Sequence, residues 1–153
     1  MARTDTSIEV SRTIDAPAKD IFAILSNPER HAEVDATDTV VSDHKTNRIQ
    51  AVGDVFTMNM NAELMGGDYQ TDNHVVGFDE NKLISWKTAP AGEEPMGWSW
   101  TYRLDAQDAD TTEVTLTYDW SAVTDKKMLG SLPAFDEAAL ESSLGNLAAA
   151  VSS

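Results

Sequence analysis

The sequence predicts an α+β protein in which one curved, mainly antiparallel sheet of about seven strands packs against a long C-terminal helix. Three observations carry that prediction. Between residues 8 and 120, run after run alternates apolar and polar side chains with a period of two, the pattern of strands with one covered face. Over residues 132–151, Leu132, Phe135, Ala139, Ser143, Leu147 and Val151 recur at steps of three or four, with Leu140 and Leu144 beside them, the spacing of one helical face. Only one other convincing helix is present, just after the first strand, so the sheet is the partner left for the terminal helix. A helix laid across a curved sheet can leave a hollow between them.

In chain order, Ile8, Val10, Arg12 and Ile14 alternate with Glu9, Ser11 and Thr13 as the first strand. Asp15-Ala16-Pro17 suits the opening of a helix, which carries Ile21, Phe22, Ile24 and Leu25 on its inner side and runs to about Ser26. Pro28 cannot continue that helix without losing a backbone bond but can open another, so residues 28–33 form a second short helical turn at an angle to the first. Residues 39–42 are β-branched enough for a brief strand. After Gly53-Asp54, a strand places Phe56, Met58, Met60, Ala62 and Leu64 on one face. Gly66-Gly67 reverses it into a strand over 69–78, followed by strands over 83–88, 97–104 and 113–120. Residues 126–129 give a turn of helix, and Ser131, Asp136 and Glu137 suit the start of the long helix, where acid meets the positive end of the dipole. Gly145 either permits close contact with the sheet or is a local cost of about 1 kcal/mol.

With 153 residues and a hydrophobic fraction of 41%, the chain is read as a single domain spanning 1–153. The net charge of -15 repels phosphate backbones and anionic headgroups, which excludes nucleic acid and membrane surfaces as expected partners. The same charge is compatible with a basic protein partner, although plain solubility accounts for it. Cysteine is absent, so disulfides, thiolate zinc sites and cysteine nucleophiles are excluded. No apolar signal core stands at residues 1–7, and no run approaches the eighteen or so apolar residues of a membrane span, so a cytoplasmic location is expected.

Ile8-Glu9-Val10-Ser11-Arg12-Thr13-Ile14-Asp15-Ala16-Pro17, then Ile21-Phe22 and Leu25-Ser26-Asn27-Pro28-Glu29-Arg30-His31, resembles the opening of the START/Bet v 1-like (SRPBCC) superfamily, especially its bacterial polyketide cyclase/dehydratase-like members. Gly53-Asp54-Val55-Phe56 and Leu83-Ile84-Ser85-Trp86 are similar to strand openings of that superfamily. The resemblance covers essentially the whole chain and implies the helix-grip fold, with two short helices after strand one and a cavity between the sheet and the C-terminal helix. It also implies that the ligand is a lipid, hormone or polyketide, and that some members are enzymes. Where many relatives carry a tryptophan after the proline-led turn, this chain has Val34-Asp35.

Aromatic and thioether side chains gather on the faces expected to be covered. Met58, Met60, Trp86, Trp98, Trp100, Tyr102, Tyr118, Phe135 and Ala139 are the candidate ligand-binding residues, with Trp120 in the same pattern. Ordinary core packing accounts for the same residues; the cavity implied by the resemblance favours a binding wall, with a filled sandwich as the alternative. His31, His44 and His74 are too scattered for a metal site, and neither a metal nor a cofactor is expected. His74, inside a strand beside Asp72 and Asn73, is the best candidate for a general acid or base, with the face it points to left open by a possible bulge at Val75-Val76. Arg12, on the apolar side of its strand, has to find a carboxylate or reach the rim. Glu63 and Tyr69 flank the Gly66-Gly67 turn, at a pocket mouth or at a solvated hairpin end. No nucleophile elbow is present, and Gly66-Gly67-Asp68 lacks the lysine and helix of a phosphate loop. The leading expectation is a binder of a small hydrophobic molecule. The alternatives are a cyclase/dehydratase-type enzyme working in the same cavity and, last, a protein-interaction module like the chaperone activators of the superfamily.

Overall fold

The computed structural model describes residues 2–37, 39–130 and 132–152. A two-residue strand, β1 (Ala2–Arg3), precedes β2 (Ser7–Ile14), and extended Pro17 leads directly into α1 (Ala18–Leu25). Asn27 then accepts the Glu29 N–H at 3.3 Å, starting a 3-10 turn (Pro28–Arg30) that continues into α2 (His31–Val34). The second short helix is therefore a composite of two helix types.

The strands that follow are β3 (Val40–Asp43), β4 (Val55–Ala62), β5 (Gly67–Asp79), β6 (Leu83–Pro90), β7 (Ser99–Asp108) and β8 (Thr111–Asp119). The seven strands expected from the alternation, with β1 added at one edge, form one antiparallel sheet in the order β1-β2-β8-β7-β6-β5-β4-β3. β2 pairs with β8 and β3 lies at the far edge, so the chain between them, carrying α1 and α2, crosses the width of the sheet. After the short helix α3 (Lys126–Leu129), α4 (Glu137–Ser152) lies against β2, β8, α1 and α2.

Several boundaries shift by one or two residues from the sequence expectation, and three of the differences have a clear local cause. β4 stops at Ala62 because residues 63–65 wind into a 3-10 turn, which Gly66 (φ 85°) and Gly67 (φ 115°) reverse. β7 begins at Ser99 rather than Gly97 and continues to Asp108. Gly97 (φ 122°) belongs to the loop, where a Cβ would stand 2.7 Å from the Ala122 carbonyl carbon. The long helix begins at Glu137, not Leu132, because the Asp136 carboxylate caps it by accepting the Ala139 N–H at 3.0 Å. Ser131, expected near that start, lies outside the described residues.

Ile8, Val10, Leu116 and Tyr118 from the sheet, Ile21 and Leu25 from α1, and Leu140, Leu144 and Leu147 from α4 are fully buried together. Arg12 shares the inner face of β2 but reaches the exposed rim, its guanidinium passing Gly145 of α4. This core clamps α4 to the β2–β8 side of the sheet.

Candidate functional site

Strand register assembles the site. Phe56, Met58 and Met60 of β4 stand opposite Asn73, Thr71 and Tyr69 of β5. Asn73 in turn faces Thr88, and Thr71 faces Pro90, on β6. Trp86 pairs with Trp100 and Trp100 with Tyr118, while Ile84 pairs with Tyr102 and Tyr102 with Leu116. Since alternate residues share a face, this whole set lies on the inner surface of the sheet.

Between that surface and the helices lies a cavity of about 770 Å³. Its walls include Met58, Met60, Trp86, Trp98, Trp100, Tyr102, Tyr118 and Phe135 from the sequence-predicted set, with Leu140 and Ser143 of α4, and His31 and Asp35 at α2. Ala139 is not on the wall: α4 turns Leu140, Ser143, Leu144 and Leu147 inward, so the expected face holds at Ser143 and Leu147, and Leu140, expected beside it, borders the cavity where Ala139 does not. Trp120 belongs to the core beside Tyr118, at 5.1 Å between ring centroids, and does not border the cavity. The aromatic wall is ordered by stacking. Trp100 lies parallel to Tyr118 at 4.3 Å, and Phe135 closes over both at 5.8 and 6.1 Å.

Polar groups interrupt this wall in a few places. Asn73 is buried, donates to the Phe56 carbonyl at 3.2 Å and accepts the Thr88 hydroxyl at 2.8 Å, so both ends of its amide are occupied. Ser143 accepts the Ala36 N–H at 3.0 Å, and the Tyr118 hydroxyl accepts the Ala134 N–H at 3.4 Å. Tyr102 is buried, and its hydroxyl has no hydrogen-bond partner among the described residues. Burial, and secondarily the negative charge of Asp35, push its pKa up, so it stays a neutral phenol. The same two causes raise Tyr69 at the edge of the site.

The histidine of this cavity is His31. His74 lies on the opposite face of β5, paired with Val55 and Lys87 while its neighbours Asn73 and Val75 are buried inside. The bulge falls after it, between Val75 and Gly77, and leaves Val76 exposed, so it does not turn His74 inward. The His74 Nε2 is buried without a hydrogen-bond partner among the described residues. His31 instead donates Nε2–H to the Leu25 carbonyl at 2.7 Å and stacks on Trp86 at 5.2 Å, edge-on to Phe56 at 5.3 Å. That carbonyl ends α1, where helix geometry leaves acceptors unpaired. Burial lowers the His31 pKa, which favours the neutral ring. With Nε2 carrying the proton, Nδ1 keeps a free lone pair. The sequence signal for His31 was its place just past a proline-led turn that folds the chain back on the preceding helix end.

Among the described residues no three His, Asp or Glu side chains gather as metal ligands would, and no helix is long and apolar enough to cross a membrane. The fold is shared widely. The aromatase/cyclase Zhui from Streptomyces sp. R1128 superposes with a TM-score of 0.67 over 95% of this chain and 93% of its own, at 17% identity. Ginseng major latex-like protein 151 from Panax ginseng does so at 0.61 over 94% and 95%, at 15% identity. Protein Rv0088 of Mycobacterium tuberculosis is 32% identical over 120 residues, which are 78% of this chain and 48% of that protein. The chain thus spans about half the length of the curated relatives it matches. Residues 5–152 match the family described as polyketide cyclase / dehydrase and lipid transport. With sheet, gripping helix and sequence in agreement, the chain belongs to that family, within the START/Bet v 1-like superfamily.

Proposed function

We propose that this protein binds a small hydrophobic molecule, lipid- or polyketide-like, in the cavity between the sheet and α4. The observation that carries the reading is the cavity itself: about 770 Å³, walled by Trp, Tyr, Phe and Met side chains, is within the usual size and composition of small-molecule sites. Filling it with an apolar ligand would remove water from surfaces that the helix does not cover, the term that dominates such binding. Native mass spectrometry of protein purified from its own host without detergent is expected to show a small noncovalent adduct. The freed ligand, added back at a hundredfold excess over its Kd, is expected to stabilise the fold by about 2.7 kcal/mol. An adduct-free spectrum, together with no thermal shift across a panel of apolar metabolites, would overturn the proposal.

His31 and Tyr102 favour a second reading, a cyclase/dehydratase-type enzyme. A neutral imidazole with a free Nδ1 and a buried phenol on one apolar wall can take up and return protons on a bound polyketone. An enzyme would convert a linear polyketone to a cyclised product and lose turnover, but not binding, in Tyr102→Phe. A simple binder would return the polyketone unchanged.

A further inference from the structure

The cavity wall contains no lysine or arginine among the described residues, although it contains two carboxylates, Asp35 and Glu63. An anionic headgroup inside it would be stripped of water with no cation to meet it. The chain's net charge of -15 adds a field of the same sign at the entrance. The acceptors, by contrast, are in place. Asp35 uses one oxygen to accept the Thr37 N–H at 2.6 Å, and its other oxygen has no partner among the described residues. His31, bound through Nε2 to the Leu25 carbonyl, has an unused Nδ1 lone pair. Trp86, on which His31 stacks, and Tyr102 border these acceptors, their rings 6.0 Å apart, so the acceptors stand against an apolar wall.

We propose that the cavity selects a ligand whose apolar body ends in a hydrogen-bond donor, a hydroxyl or a protonated amine received by Asp35 and His31, and that it rejects carboxylates, sulfates and phosphates. This rests on the small-molecule reading above and narrows its ligand class. A fatty acid or an acyl phosphate would enter with the wrong charge, whereas an alcohol, a phenol or an alkyl ammonium would find acceptors waiting. The charge at residue 35 is what separates the last of these from a neutral donor.

Three probes with one ring system test it: 2-naphthylmethanol, 2-naphthylmethylamine and 2-naphthoate, titrated by quenching of the intrinsic tryptophan fluorescence at neutral pH and moderate salt. The alcohol and the amine are expected to bind at least about tenfold more tightly than the carboxylate. Asp35→Asn keeps the oxygen that accepts from Thr37 and removes the charge. It is expected to weaken the amine about tenfold, strengthen the carboxylate and change the alcohol least, because a hydroxyl can accept from the new amide N–H while still donating to His31 Nδ1. Glu9→Gln, an exposed position on the outer face of β2, changes the net charge equally and is expected to leave all three affinities alone. Three equal affinities, or a ranking that Asp35→Asn does not alter, would overturn the donor selectivity while leaving the cavity as a binding site. Failure of every probe to bind would remove the small-molecule reading and this one with it.

Discussion

His31 shows what a single side chain gains from its surroundings. Its burial penalises the charged ring and lowers its pKa from 6.5, only partly offset by the hydrogen bond to Leu25 and the nearby Asp35 and Asp43 carboxylates. The unfolded chain therefore takes up a proton at this residue before the folded chain does. Stability from this group is complete above about pH 6.5 and is lost as the pH falls through that value toward the folded pKa. Urea unfolding of the unliganded protein is expected to show a stability decline from about pH 7 to about pH 5, with a slope of at most about 1.4 kcal/mol per pH unit from this residue. His31→Gln keeps a donor for Leu25 and is expected to flatten that segment. Asp72 acts in a separate window: the Gly92 N–H and the Thr57 hydroxyl hold its carboxyl below 3.8, so its contribution disappears only in stronger acid. The contrast with His74 is instructive. Sequence alternation could not choose its face while the position of the bulge was open, and no spacing sets His31 apart from the other two histidines, because its partner carbonyl lies six residues back around a proline turn.

At the scale of an element, α4 depends on its first turn and on one interior glycine. Asp136→Ala deletes the acceptor for the Ala139 N–H and is expected to cost about 1 kcal/mol. Gly145→Ala acts in the other direction. A Cβ there meets only the Arg12 Nη1 at 3.7 Å, an ordinary contact, so alanine is expected to gain about 1 kcal/mol of helix propensity. Chemical denaturation of the two variants and their double mutant checks both, and their effects should add because the sites lie more than two turns apart. The two possibilities that the sequence left open for Gly145 are thereby separated: the glycine is a local cost, not a close approach to the sheet. The helix was legible from its period, but its start was not settled between Ser131 and Asp136, because 132–135 has the right apolar spacing for one more turn; the Asp136 cap places it at Glu137.

For the whole molecule, charge and interior set the behaviour. The two ion pairs found among the described residues, Arg3 with Glu137 at 2.6 Å and Arg30 with Glu33 at 2.8 Å, are solvent-exposed, and such pairs are worth little. Self-repulsion from a net charge of -15 outweighs them. Added sodium chloride is therefore expected to stabilise the fold by about 1 kcal/mol, roughly 2–4 °C in melting temperature between low and moderate salt. A melting temperature that falls with salt would show that attractive pairs dominate instead. The sequence by itself determined the strands and turns in chain order and the two helical regions at its ends, because alternation, turn residues and helical spacing are local properties of the chain; the family came from the resemblance of its opening segments and not from those periods. Most of the aromatic wall followed from that alternation. Only the tertiary structure decided that the wall borders an open volume, that His31 rather than His74 stands on it, and that Asp35 is its acidic group beside the tyrosines. Those depend on where a helix anchored on β2 and β8 stops covering the sheet and on the path of a proline turn, distances between residues far apart in the chain that no local pattern encodes.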